Sequence, residues 1–403
     1  MSSKSFFLSV DKNNQGSAKG ELHINMIRYC YGHVERYSKS NLCIDIGIGI
    51  ELTNEERCVY LYMPFDVNVK SENPEIYDIG KVLSNDRPLV SALFNEDICV
   101  SDVNGAPSFY ALKKKSGSVE ELFKVLYVVD QTNIEKIPLD PYYSGTLVKI
   151  MIPSITGKDT NKETFNKVLN SIGFKKADEK GKNGEGNDRN NTNNCNLYFR
   201  LRIKTNEQKK GVKSLVASRR LQNDVIKGVF EKTDLFDIRV NDKRLVKDKV
   251  LEKLLSGGTH DLISFYKVHF FYITNVKECI YGGMQHLNDT RILETETWSN
   301  YLKELDSHTV KLAYHWKSTS DDCKEKYNIF FKGDNKSING WQLAAYTAIV
   351  IFLGGCGSFL AGGLTPDRSS LLPESVHMII IAVLIIYIVT FYVVNYFLER
   401  KSK

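Results

Sequence analysis

Polar and apolar residues alternate strictly over residues 42–52 (LCIDIGIGIEL). Ile44, Ile46, Ile48 and Ile50 fall on one side, and Asp45, Gly47, Gly49 and Glu51 on the other. A period of two is the mark of a strand, here with a flat face of small residues. Residues 196–204 (NLYFRLRIK) alternate in the same way. Residues 58–65 read as the hairpin partner of 42–52, with Asn54 and Glu55 in the turn. Further strands are expected at 146–152, at Phe236, Ile238 and Val240, and around 263–274, 310–316 and 327–331.

Helical spacing is read in other places. Over 21–37 the apolar residues Ile27, Cys30, Tyr31 and Val34 recur with a helical rhythm. The same holds over 212–230, through Leu215, Val216, Val225, Ile226 and Val229. Val246, Val250, Leu254 and Leu255 predict a helix closed by Gly257. Ser118 with Glu121, and Thr160 with Glu163, have capping-box spacing. They predict helices over 119–127 and up to Gly173. The body is therefore expected to be α+β with antiparallel sheets.

Two long stretches near the C-terminus carry no charge, residues 341–364 and 376–398. Each is roughly 23 residues long, and about 20 suffice to cross a bilayer as a helix. A transmembrane hairpin is expected. Lys332 and Lys336 precede it, and Arg400, Lys401 and Lys403 follow it. The connecting turn holds only Arg368, beside Asp367 and Glu374. The positive-inside rule then places both ends in the cytoplasm, at a cell inner membrane. Gly354, Ser358 and Gly362 recur on one face and would let helices pack closely, within the hairpin or between copies in a homo-oligomer. No Asp, Glu, Lys or Arg lies inside either stretch, which disfavours a transporter or ion relay.

Segment 178–194 (DEKGKNGEGNDRNNTNN) is almost wholly Gly, Asn and charge, and reads as a linker or loop. The expected division is a domain at 1–177, a second at 195–336, and the hairpin within 337–403. The chain has 403 residues and a formal net charge of +6, mildly basic. No early apolar run is long enough for a signal peptide. Eight cysteines are scattered without a C-x-x-C pair, so free thiols are expected rather than disulfides or zinc.

No catalytic motif, cofactor fingerprint or metal signature stands out. Gly257, Gly258, His260 and Asp261 suggest a turn before a strand, with a catalytic His–Asp pair as the sharper reading. The most suggestive polar surface is basic. Tyr198, Arg200, Arg202 and Lys204 share the outward face of 196–204, and Arg219 and Arg220 lie nearby in sequence. Arg239, Lys243 and Arg244 follow. Guanidinium groups on a rigid strand suit phosphate or carboxylate recognition. A solvated face paired with acidic neighbours is the plainer alternative.

A motif-free body on a charge-free two-span tail resembles the membrane effectors of bacterial anti-phage systems, including retron-linked and second-messenger-linked two-span proteins. The resemblance rests on 341–398 and the body before it. It implies a non-enzymatic, toxin-like effector of antiviral defence acting by abortive infection. Its cytosolic part would sense, or be held inactive by, a regulatory partner protein or an anionic ligand such as nucleic acid or nucleotide. Its hairpin would disrupt the lipid bilayer on activation. A membrane-tethered scaffold or receptor, and a tethered enzyme of unrecognised fold, are the alternatives.

Overall fold

In the computed structural model, alternation like that of 42–52 runs through most of the chain. The structure describes residues 5–11, 18–30, 40–53, 55–70, 72–117, 119–140, 142, 145–156, 162–172, 196–206, 212–219, 231–276, 278–281, 287–303, 310–336, and within 347–357 residues 347, 348, 350, 351, 353–355 and 357. The first strands are β1 (Ser5–Asp11), β2 (Lys19–Cys30), β3 (Ser40–Glu51), β4 (Arg57–Met63) and β5 (Ile76–Asp78), before helices α1 (Gly80–Asn85) and α2 (Arg87–Phe94). Then come β6 (Ile98–Asp102), β7 (Phe109–Ser116), β8 (Val119–Tyr127), β9 (Ile134–Ile137), β10 (Thr146–Ile152) and α3 (Lys162–Ser171). The next elements are β11 (Asn196–Asn206), β12 (Val216–Arg219), β13 (Glu231–Val240), α4 (Asp248–Leu255), β14 (His260–Leu262) and β15 (Ser264–Asn275). The last are β16 (Glu278–Tyr281), β17 (Asp289–Ile292), α5 (Thr295–Leu302), β18 (Lys311–Lys324) and β19 (Tyr327–Lys336).

These strands make two mixed sheets. One runs β16-β19-β13-β1-β4-β10-β9, with β12 on β13 and β14 on β1. The other runs β17-β18-β15-β2-β3-β11-β8-β7-β6, with β5 on β11. Antiparallel pairs dominate, but β1–β13, β2–β15 and β8–β11 are parallel. The sheets share a core. Leu22, Ile24 and Met26 of β2 and Ile44, Ile46, Ile48 and Ile50 of β3 pack in one cluster with Phe6, Leu8 and Val10 of β1 and Val59, Leu61 and Met63 of β4. This is sheet-on-sheet packing. The second sheet carries another apolar layer, where α1, α2 and α5 supply Leu83, Leu89, Val90, Leu93, Trp298, Tyr301 and Leu302. On the first sheet, Val250 and Leu254 of α4 cover Phe7, Tyr60, Tyr62 and Leu147.

Several expectations are corrected. The fold is mainly β, with two mixed sheets, rather than α+β with antiparallel ones. Residues 21–30 are strand, because Leu22, Ile24 and Met26 alternate with Glu21, His23 and Asn25 and both faces are buried. Residues 119–127 are β8, paired along β7, so glutamate spacing there is not a cap. Residues 58–63 leave β3 and join β1 and β10 in the other sheet. Residues 212–219 form a short 3-10 turn and β12, and 220–230 lie outside the described residues. The helix predicted after Thr160 is present as α3, and the one predicted from Val246 as α4.

Segment 178–194 lies outside the described residues, and strands from before and after it enter both sheets. Met1–Arg220 and Lys232–Lys336 make one compact unit, and Leu221–Glu231 with Ser337–Lys403 a second. In the second unit the described residues from Thr347 to Gly357 are helical and exposed. Among the described residues no helix is long and apolar enough to cross a membrane. The transmembrane hairpin, and the inner-membrane placement drawn from it, are therefore corrected. An uncharged run meets the length requirement of a span without specifying one continuous helix. Residues 376–398 lie outside the described residues.

Candidate functional site

One face of the second sheet gathers most of its buried charge. Asp45, Gly47 and Gly49 of β3 lie on the side opposite the isoleucines. Across one edge they meet Asn25, His23 and Glu21 of β2 in register. Across the other they meet Arg202, Arg200 and Tyr198 of β11. One strand further, Lys267 and His269 of β15 stand beside Glu21 and His23. His315 of β18 is paired with Phe271. Lys124 of β8 reaches in from the far side. Glycine at 47 is required by a close approach: a Cβ there would collide with the Tyr198 hydroxyl and lie 2.9 Å from Arg200 Nη1.

At one end of this seam, Arg202 grips Asp45 with Nε and Nη2, at 2.8 and 2.9 Å. The Tyr301 hydroxyl, from α5, donates to Asp45 Oδ2 in a short hydrogen bond. Its oxygen accepts from Arg200 Nε at 2.9 Å and from Asn25 Nδ2 at 3.4 Å. Burial alone would raise the Asp45 pKa, but Arg202, Arg200 and Tyr301 hold it below the usual range. At the other end, Glu21 Oε1 is 2.5 Å from His23 Nε2, and Glu21 Oε2 accepts from Lys124 Nζ at 2.7 Å. Lys267 Nζ lies 3.6 Å from Oε1. Burial works to raise the Glu21 pKa, and His23, Lys124 and Lys267 overcome it, so this carboxylate is ionised.

Three imidazoles continue the seam. His23 packs against His269, with ring centroids 4.6 Å apart, and His269 Nδ1 is 2.9 Å from His315 Nε2. Burial lowers all three pKa values, to about 2 for His269 and about 4 for His315. The rings are therefore neutral at pH 7. Phe94 of α2 covers His23 and Tyr198, with centroids 5.6 and 5.1 Å apart. The seam is fully buried at Arg200 and only half-buried at Lys267, His269 and His315, which makes that end its approach from solvent.

The arginines of the core differ in how they are neutralised. Arg28 bridges Asp234 at 2.6 Å and Glu278 at 2.8 Å, tying one sheet to the other. Arg202 has Asp45. Arg200 has no carboxylate within ion-pair distance among the described residues. It donates to two phenol oxygens, Tyr198 Oη at 2.7 Å and Tyr301 Oη, and its Nη2 has no partner. Burial works against its charge, yet Tyr198, Tyr301 and Asp45 hold its pKa above that of ordinary arginine. Lys124, Arg200 and Arg202 face only Glu21 and Asp45, and half-buried Lys267 adds a further positive charge. With neutral imidazoles the seam is short of two negative charges.

Glu21, His23 and His269 are the group that could hold a metal ion among the described residues, with ligand atoms within 4.8 Å of one another. Zinc accepts this donor set. However, Lys124 already occupies one oxygen of Glu21, Lys267 approaches the other, and Arg200 stands across β3. Such surroundings repel a divalent cation and attract an anion.

Of the residues singled out from sequence, Arg200 and Arg202 share one face as expected, but that face is buried at 0% and 3% exposure rather than outward. Lys204 Nζ lies 5.0 Å from the Tyr77 ring centroid. Arg219 ends β12. Arg220, Ser358 and Gly362 lie outside the described residues, and Gly354 is helical with nothing near its Cβ position. Arg239, Lys243 and Arg244 are taken up by Asp237, Glu325 and Asp242. His260 pairs with Asp11 at 3.2 Å and stacks on Tyr60, so it makes no dyad with Asp261. Sequence reasoning missed Glu21, His23, Asn25, Lys124, His269, Tyr301 and His315. The alternation E-L-H-I-N-M at 21–26 was the available signal.

No family model and no curated protein sequence matches the chain. Among solved structures, it is similar to a candidate nutrient binding protein from Legionella pneumophila. The identity is 9%, the match covers 92% of this chain and 82% of that one, and the TM-score is 0.27.

Proposed function

We propose that this chain is a binding protein for a small anionic ligand, received on the polar seam of the second sheet with Arg200 as its anchor. One observation carries the reading: a guanidinium at 0% exposure that, among the described residues, has no carboxylate partner and an unpartnered Nη2. Burying a charge costs several kcal/mol, roughly; two phenol oxygens and the more distant Asp45 offset that cost at Arg200, and an anionic ligand would supply the direct counterion. Planar, forked guanidinium is suited to carboxylate or phosphate oxygens. The excess of cations over carboxylates along the seam supports the same reading. No observation among the described residues bears on the effector role that the architectural resemblance implies.

The test is calorimetry and thermal shift on the whole chain with inorganic phosphate, sulfate, acetate and glycolate. At least one should bind and raise the melting temperature, and Arg200→Gln should abolish that response while circular dichroism stays unchanged. A folded Arg200→Gln protein that binds the same anions equally well would overturn the proposal.

A further inference from the structure

We infer that the anion held at Arg200 carries a hydrogen-bond donor beside its charged oxygen, so that the site selects hydroxy or amino acids over the corresponding plain acids. This rests on the anion-binding reading above. It adds what His23 and Asn25 require of the ligand.

Three buried polar atoms on neighbouring residues lack a partner: Arg200 Nη2, His23 Nδ1 and Asn25 Oδ1. His23 and Arg200 both stand opposite Gly47, and Tyr198 lies beside both, its hydroxyl accepting from Arg200 Nη1 and its ring centroid 5.5 Å from that of His23. Asn25 is two residues along β2 from His23, on the same face. The hydrogen-bond network fixes what each atom can do. Glu21 is an ionised carboxylate and only accepts, so His23 Nε2 carries the proton toward it. With the ring neutral, His23 Nδ1 is left as a lone pair. The Tyr301 hydroxyl gives its proton to Asp45, so the Asn25 atom facing Tyr301 must be the Nδ2 donor. The free Asn25 atom is therefore the Oδ1 acceptor.

The unmet set is thus one cationic donor and two acceptors. A plain carboxylate satisfies Arg200 and then turns acceptor oxygens toward two other acceptors. A 2-hydroxy acid satisfies Arg200 with its carboxylate and gives its hydroxyl proton to His23 Nδ1 or Asn25 Oδ1. The ammonium of a 2-amino acid can serve both. A single water could accept from Arg200 and donate twice, but it brings no negative charge to the seam.

The probes are glycolate, glycine and acetate, titrated calorimetrically into the whole chain at pH 7.5. Glycolate or glycine should bind at least about tenfold more tightly than acetate, since a site built around a donor rejects the analogue lacking it. For glycolate at least one of His23→Phe and Asn25→Leu, and for glycine both, should reduce that ratio toward one. Equal affinities in the intact protein, lost together in Arg200→Gln, would overturn this inference and leave the anion reading standing. No response to any of these acids, phosphate or sulfate would remove both. A glycolate ratio unchanged in both folded variants would also overturn it. If both variants fail to fold, the ratio in the intact protein decides. The nitrogen-15 shifts of His23 provide a second reading: Nδ1 should move on adding glycolate and stay fixed on adding acetate.

Discussion

Arg202 and Asp45 stand opposite each other on β11 and β3 and close a two-point ion pair in a nearly dry interior. Two residues earlier on β11, Arg200 stands opposite Gly47 and has no such partner. Cross-strand pairing thus neutralises one arginine and leaves its neighbour available.

The two arginines should separate in a stability measurement. Arg202→Met strands the Asp45 carboxylate and is expected to cost roughly 3–5 kcal/mol in urea unfolding. Arg200→Met removes a guanidinium that has two phenol acceptors but no carboxylate of its own, and should cost clearly less, about 0–2 kcal/mol. Equal destabilisation by the two would show that Arg200 is neutralised within the fold.

Gly47 and Gly49 offer a paired test of close packing. Gly47→Ala must displace Tyr198 and Arg200, whereas at Gly49 the nearest atom to a new Cβ is Glu21 Cβ at 3.3 Å. Gly47→Ala is expected to cost about 1–3 kcal/mol and to weaken anion binding. Gly49→Ala should be clearly milder in both respects, measured by urea unfolding and calorimetry.

Asp78 makes a stability slope of unusual sign. Burial pushes its pKa up to about 7, against the lowering effect of backbone amides at Val129, Gly80 and Lys81. The unfolded chain releases this proton first, near pH 3.8. Its contribution therefore weakens as pH rises from about 4 to 7 and is level above that. Asp78→Asn should stabilise the fold at pH 8 by on the order of 2–4 kcal/mol. Melting curves showing no gain at pH 8 would contradict this.

His315 acts in the opposite direction over the same range. Burial lowers its pKa to about 4. The unfolded chain takes up the proton first as pH falls below about 6.5, so stability is lost between pH 6.5 and 4. His269, lowered to about 2, extends that loss to more acid pH. In the intact protein the Asp78 and histidine slopes oppose each other. Melting temperature against pH should therefore steepen on the acid side in Asp78→Asn and flatten there in His315→Gln. An unchanged profile in both variants would rule out this balance.

The strands at 42–52 and 196–204 were legible because their alternation is clean, and they prove to be neighbours in register. Part of the site, Asp45, Tyr198, Arg200 and Arg202, lay on them. The rest was hidden by burial on both sides. Once Glu21, His23 and Asn25 are covered by helices, a polar face no longer marks solvent, and 21–30 loses the inside-outside contrast that identifies a strand. Ile27 then completes an accidental helical spacing with Cys30. The partnership of 58–63 was lost for another reason, since short connections usually join strands of one sheet and this one changes sheets. Tyr301 contributes from a helix about 100 residues beyond Arg200, and no local pattern links the two.

The parallel pairing of β2 with β15 sets a timetable for biogenesis. Lys19 of β2 meets Ser264 of β15, roughly 240 residues later in the chain. At about 5–20 residues per second on the ribosome, β2 would wait on the order of ten seconds or more for that neighbour to be made. Until then its long edge could pair with β3 on one side only, and Glu21 and His23 would stay wet. Chaperone capture of nascent chains halted before residue 264 should therefore exceed that of chains halted after residue 336, once β15 and β18 have arrived to close the sheet.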